Sequence, residues 1–243
     1  MSIWKNVQGT GGCVTFPELD RIHHFTHLIT LRQPPGAPVE ESNARVLAGR
    51  GIEPSAAVFL RQVHSDTTVT VASIEELPED DRKAGPADGI IAAKPGLFPV
   101  IRTADCVPVV AVAPRAQMVA LFHAGWRGTR SRIVEKGLAE FLRVARTPQD
   151  DILLAIGPCI RKCCYEVGSD VRAEFAAAGW GPACFTADGR LDLVEATRIQ
   201  ANRCGVERVL DCGLCTSCRN DLFYSYRREG TAHRNWTVAG FSR

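Results

Sequence analysis

The sequence predicts an α+β fold: a single domain over residues 1–243, with mixed β-sheets flanked by helices. Three observations carry this. The chain has 243 residues, 45% of them apolar, enough to bury a sizeable core. Its middle is a series of short β-branched and apolar runs punctuated by Gly, Pro and Asp. Segments with helical spacing follow, yet strands and helices do not alternate strictly, which argues against a doubly wound sheet.

The elements are read in chain order. "RQPPGAP" is a loop, followed by a short helix in "VEESNARVLAGRGI" with Gly51 near its C-terminal end. "AAVFLRQVHS" and "TTVTVAS" have the apolar and β-branched content of strands. "EELPEDDRKAGPAD" is polar and broken by Pro and Gly, so it reads as a loop. "GIIAAKPG", "FPVIRTADC", "VPVVAVAP" and "QMVALFHAG" read as strands with turns between them. "TRSRIVEKGLAEFLRVA" spaces Ile133, Val134, Leu138, Phe141 and Leu142 at helical intervals. "DILLAIGPCI" is a buried strand, and "GSDVRAEFAAAG" and "DLVEATRIQANRCG" are helices. "ERVLDCG" is a strand, and the chain from "FYSYRREG" to its end is strand-like with a loop.

Composition narrows the function classes. A formal charge of +2 gives no reason to expect nucleic acid or a membrane surface as a partner. There is no apolar run long enough for a transmembrane helix. "MSIWKNVQGTGG" lacks the basic-then-apolar order of a signal peptide. The ten cysteines are therefore expected as reduced, cytoplasmic thiols, most of them small packing residues. The sequence does not indicate an oligomeric state.

Three residues with metal-ligand chemistry stand at the ends of apolar runs: His64 in "RQVHSD", Cys106 in "RTADCVP" and His123 in "LFHAGWRGT". Strand ends are where a rigid scaffold brings side chains together from distant sequence. Two imidazoles and a thiolate suit zinc, with a fourth position left for water or substrate. Taken singly, each residue has a plainer reading, as a surface histidine or a core thiol. Cys106 paired with a histidine also suits a metal-free hydrolase or deamidase nucleophile.

The immediate contexts add to this. "RQVHSD", "DGIIA", "RTADCVPVV", "HAGWRGT", "GPCIRKCCYEVG" and "CTSCRNDLFYSYRREG" together resemble the YfiH/YlmD-type family over about Asn43 to Thr231. Its members carry the label laccase-domain protein or polyphenol oxidase, and are also described as purine nucleoside phosphorylases with adenosine deaminase and methylthioadenosine phosphorylase activity. The resemblance implies a YfiH-like fold and a metal site on His64, Cys106 and His123. Gly125 would let the backbone turn beside the site, with Trp126 and Arg127 in the pocket wall. It implies zinc, with copper as the alternative ion, and purine nucleosides and phosphate as ligands. The sequence departs from the family at Ser65, where a glycine is usual, at His233, and between Phe25 and Glu40.

That resemblance assigns tasks to further residues. Zinc lowers the pKa of water from 15.7 to about 7, which suits attack at C6 of adenosine. Asp105 is the candidate proton shuttle, with a turn-capping or supporting carboxylate as the plainer reading. Phosphorolysis needs donors for phosphate, and Arg127, Arg227 and Arg228 are the candidates. If residues 227 and 228 lie on a strand, only one of the two arginines points inward. A laccase would need several coppers, and six histidines are few for such an array.

Other residues have plainer readings. Cys212, Cys215 and Cys218 are spaced as C-x2-C-x2-C, but no fourth ligand stands nearby in sequence. Cys163 and Cys164 are read as packing or pocket-lining residues. His23, His24 and His27 are expected at the surface or in a lid, and Trp180 and Trp236 in the packed interior.

Overall fold

The computed structural model describes residues 4–7, 12–77 and 83–243. The chain begins with strands β1 (Lys5–Val7), β2 (Cys13–Thr15) and β3 (Phe25–Thr30), then helix α1 (Val39–Ala48). Next come β4 (Ala57–Arg61), β5 (Thr68–Val71), β6 (Lys83–Pro86), β7 (Gly89–Ala92), β8 (Phe98–Thr103), β9 (Val107–Ala113) and β10 (Met118–Ala124). Helices α2 (Trp126–Arg130) and α3 (Ile133–Ala145) lead to β11 (Leu153–Ile156), followed by α4 (Ser169–Ala177) and α5 (Leu193–Arg203). The chain closes with β12 (Val209–Asp211), the single turn α6 (Tyr226–Glu229) and β13 (Asn235–Phe241).

Two mixed sheets result, as an α+β reading requires. One has the order β1-β2-β3-β13-β8-β4-β6, the other β12-β11-β9-β10-β7-β5. Both contain antiparallel pairs and finish in parallel ones.

The runs that look uniformly apolar are buried on both faces, which is why they lack a polar alternation. Along β9, Val107, Val109 and Ala111 face one core, and Val110 and Val112 face another. The second of these cores lies between the sheets, where Ile29, Leu60 and Ile101 meet Ile90, Val110 and Leu121. Outside the second sheet, Val134, Leu138 and Phe141 of α3 and Val194 of α5 cover Val109 and Phe122. Outside the first, Val46 and Leu47 of α1 cover Val100, Trp236 and Val238.

Several expectations are corrected. Part of the polar loop after β5 is strand β6, which Pro86 can end because β6 is an edge. The helix expected from Thr129 to Ala145 is broken at Arg132, whose φ of 65° is incompatible with a continuous helix. Residues 226–229 form a helical turn rather than a strand, capped by the Ser225 hydroxyl on the Arg228 N–H. His27 is buried on β3, where its Nε2 accepts the Phe16 N–H at 2.8 Å. Its lid or surface reading fails because the N-terminal segment is itself part of the first sheet. Trp180 and Trp236 are packed, as expected. No helix among the described residues is long and apolar enough to cross a membrane.

Candidate metal centre

His64, Cys106 and His123 come from three separate places and meet at one end of the layer between the sheets. Their ligand atoms all lie within 4.8 Å of one another. His64 follows β4 of the first sheet, Cys106 joins β8 of the first sheet to β9 of the second, and His123 is the penultimate residue of β10. His64 Nε2 stands 4.0 Å from Cys106 Sγ, and the two imidazole rings are 4.9 Å apart at 70°.

Local chemistry explains each placement. The Gln62 side chain continues the β4–β8 pairing, accepting the Arg102 N–H at 2.8 Å and donating to the Arg102 carbonyl at 2.9 Å. That anchors the turn that bears His64, whose φ of 60° is left-handed. Gly125 has ordinary backbone angles, so its role is space rather than turning. A Cβ there would lie 2.9 Å from Cys106 Sγ and 3.1 Å from the His64 ring. At Gly128 a Cβ would press on the Ser65 carbonyl at 2.8 Å. The two glycines of "HAGWRG" thus let the ligand-bearing turns pack in direct contact.

Asp88, fully buried, organises the site, and reading the sequence missed it. One carboxylate oxygen binds His123 Nδ1 at 2.8 Å and accepts the His64 N–H at 3.0 Å. The other accepts the Ser65 N–H at 2.6 Å, its hydroxyl at 2.8 Å and the Val63 N–H at 3.2 Å. Ser65, the departure from the usual glycine, therefore adds a hydroxyl to this grip. Burial by itself would raise the Asp88 carboxyl, but the His123 and Ser65 hydrogen bonds outweigh it and hold it at about 2. The only signal in the sequence was an Asp opening "DGIIA", which turn chemistry alone also explains.

This donor set fits a metal ion. With Nδ1 held by Asp88, His123 has Nε2 left as its ligating atom, the carboxylate–histidine arrangement that orients metal ligands. Burial opposes charge on both Cys106 and His123, yet their mutual attraction prevails. The thiol, beside His123 and His64, falls to about 6, and the imidazole, beside the Cys106 sulfur and Asp88, rises to about 9. A thiolate is the ligand form of cysteine. His123 is buried and His64 exposed, so the cluster is backed by protein and opens toward solvent.

The remaining candidates make contacts of their own. The Asp105 carboxylate is buried and accepts the Thr216 hydroxyl at 2.6 Å, the Ser225 hydroxyl at 2.7 Å and the Arg227 N–H at 2.7 Å. Arg127 is exposed, its guanidinium 4.2 Å from the Trp126 ring centre. The Arg227 side chain donates to the Glu166 carbonyl at 2.7 Å and lies 5.1 Å from the Tyr165 ring centre. Arg228 is exposed on the same helical turn. Tyr165, also missed, links these groups: burial and the negative charges of Cys106 and Asp105 push its hydroxyl up to about 12, against the pull of Arg227 and Arg127.

The C-x2-C-x2-C reading is corrected. Cys212 is a buried residue of the inter-sheet core. Cys215 and Cys218 instead meet Cys163 and Cys164, with all four sulfurs within 4.8 Å of one another.

The family described as "Multi-copper polyphenol oxidoreductase laccase" matches residues 33–242. A purine nucleoside phosphorylase of Deinococcus radiodurans is 36% identical over 209 residues, covering 85% of this chain and 78% of that protein. A protein named adenosine deaminase RL5, from an unknown prokaryotic organism, is 34% identical over 196 residues, covering 74% of this chain and 72% of its own. The crystal structure of YlmD from Geobacillus stearothermophilus superposes with a TM-score of 0.84 at 27% identity, covering 100% of both chains.

Proposed function

This chain belongs to the multi-copper polyphenol oxidoreductase laccase family, and from that premise we propose that it is a zinc-dependent purine nucleoside enzyme. It would split adenosine, inosine, guanosine or methylthioadenosine with phosphate, and deaminate adenosine to inosine. The observation that carries this reading is the convergence of His64, Cys106 and His123 with Asp88 behind them. Relatives named for phosphorolysis and for deamination supply the substrate class. The many histidines of a multicopper oxidase are not what this cluster contains: two imidazoles and one thiolate suit a single ion.

His64, Cys106 and His123 would hold the ion, which supplies positive charge and lowers the pKa of water. In phosphorolysis a phosphate oxygen forms a bond to C1′ while the C1′–N9 bond breaks, its electron pair leaving with the purine, which takes up a proton. Arg127, with Arg227 or Arg228, would neutralise the phosphate. In deamination the oxygen of water bonds to C6 and ammonia leaves. Neither arginine task arises in that reaction, so the two activities share the metal but not the phosphate donors. With three hydrogen bonds on its carboxylate, Asp105 suits a positioning role for the Cys106 turn better than a proton shuttle. A cytoplasmic location keeps its thiols reduced.

One incubation of the purified protein with adenosine, with and without phosphate, tests the reading. Chromatography should show inosine in both samples, and adenine or hypoxanthine only with phosphate. No product from a zinc-loaded preparation would refute it. The ion pair of Cys106 and His123 favours one second reading, a metal-free Cys–His hydrolase or deamidase. Under that reading activity would persist after chelation.

A further inference from the structure

We propose that Cys163, Cys164, Cys215 and Cys218 form a second metal site, a closed tetrathiolate that holds one zinc ion and ties together two loops beneath the first site. Cys164 Sγ lies 3.4 Å from Cys218 Sγ, and Cys163 Sγ lies 3.7 Å from it. Four sulfurs about 2.3 Å from one tetrahedral ion stand about 3.8 Å apart, so the spacing already matches a mononuclear site. A [4Fe–4S] cluster binds each cysteine to a different iron and a [2Fe–2S] cluster divides four cysteines between two irons, so either needs some of the sulfurs farther apart than the 4.8 Å seen here.

Three further observations point to a cation. First, the Cys215 sulfur sits in a cradle of backbone amides. The N–H groups of Cys218, Arg161 and Ser217 hydrogen-bond to it. Second, the nearby side-chain cations have other partners. Arg161 binds Asp211 through two 2.7 Å bonds, Lys162 lies 3.2 Å from Asp192, and Arg219 grips Asp221 at 2.9 Å. With those side chains engaged elsewhere, an ion meeting all four sulfurs would itself be the charge that turns them into thiolate ligands. Third, a cavity of about 430 Å³ adjoins Cys163, Cys215 and Cys218, giving an ion a way in.

A disulfide accounts for less. It would join two of the four sulfurs and leave Cys215 in its amide cradle, while Cys218 is almost equally near Cys163 and Cys164. A metal uses all four. Four thiolates also leave no open position, so this site is structural rather than catalytic.

Its place in the fold says what it would hold. Thr216, next to Cys215, donates its hydroxyl to Asp105. Ile160, close to the other loop, donates its N–H to the Asp105 carbonyl at 2.9 Å. Asp105 precedes Cys106. A cross-link between residues 163–164 and 215–218 therefore braces both supports of the Cys106 turn.

Metal content per chain tests this without any activity measurement. The wild type should carry two zinc ions, and His64→Ala/His123→Ala one. Cys163→Ser/Cys218→Ser should also carry one, held by the histidine site. Cobalt loaded into His64→Ala/His123→Ala should show the intense visible and sulfur charge-transfer bands of a tetrahedral thiolate site. That variant keeps all four cysteines, so the test stands even if the cysteine variant fails to fold. The proposal is overturned if His64→Ala/His123→Ala holds no metal and shows no such bands, or if mass spectrometry finds Cys218 disulfide-bonded to Cys163 or Cys164. The stoichiometry does not depend on whether the enzyme turns over nucleosides.

Discussion

The two clusters are built in opposite ways. The histidine–cysteine site takes one ligand from each of three strand ends, has a buried carboxylate behind it and opens to solvent. The cysteine cluster takes four ligands from two loops and has backbone amides and hydroxyl-bearing neighbours around it. Three ligands at the ends of rigid strands leave a position open. Four on loops leave none, and use the ion to stiffen what the sheets do not reach.

Substitutions in the two clusters therefore have different consequences. The largest effect is expected from Cys106→Ala, which should abolish both phosphorolysis and deamination and remove the metal of the first site. Zinc counting and chromatography on the same preparation check it, and full activity without that metal would break the comparison.

Asp88→Asn comes next. Removing the charge behind His123 should cost about 10–100-fold in metal affinity or activity, because such partners set ligand orientation and basicity. Metal titration against a competing chelator reads this directly. An unchanged affinity would reduce Asp88 to a turn residue.

The arginines sharpen the picture within the open site. Arg127→Ala, or one of Arg227→Ala and Arg228→Ala, should lower phosphorolysis about ten- to a hundredfold and deamination much less. This corresponds to a charge-assisted bond of about 1.5–3 kcal/mol. Lysine should rescue only in part, since it lacks the planar fork. The measurement is the ratio of adenine to inosine from adenosine at fixed phosphate. A ratio unchanged in all three variants would move the phosphate to backbone amides.

For the closed cluster the expected cost falls on stability. Cys163→Ser/Cys218→Ser should lower Tm by roughly 4–12 °C, from about 2–3 kcal/mol at 2–4 °C per kcal/mol for a chain of this size. Calorimetry with and without chelator checks it. Wild type and variant should converge once metal is removed.

A further effect, confined to acid pH, separates both clusters from the rest of the molecule. Burial, helped by the nearby positive charges of Arg50 and Lys5 and against the pull of Asp20, lowers His27 from 6.5 to about 4. The unfolded chain takes up this proton as pH falls below 6.5, whereas the folded one resists until about 4. His27 therefore costs no stability above pH 6.5, and the loss grows as pH falls from 6.5 to about 4. It amounts to about 2–4 kcal/mol. His27→Gln should flatten the decline of Tm over that window without changing metal content.

Much of the frame was legible in the sequence. β-branched runs marked β7 to β10, and the spacing of Ile133 to Leu142 marked α3, because these patterns follow local geometry. The three residues that meet at the first site were legible from their contexts, each at the end of an apolar run. Asp88 was not, since an Asp before Gly looks like a turn until His123 is seen against it. Tyr165 was hidden because nothing in "YEVG" signals that Cys106 lies nearby. Short elements such as β6 and the turn α6 were missed because their neighbours, not their own propensities, hold them.

By itself the sequence determined which segments are buried and which strand ends carry metal-ligand chemistry, because burial and period are written in residue type. Only the tertiary structure decided which distant residues meet. Cys163 and Cys164 lie 55 and 54 residues before Cys218, and no local rule relates positions so far apart. Their meeting depends on β11 lying between β12 and β9, with Cys159 bridged to Cys215 just beyond it. The same holds for Asp88 and His123, joined by the pairing of β7 with β10. Sheet register sets those distances, and register is a property of the packed whole.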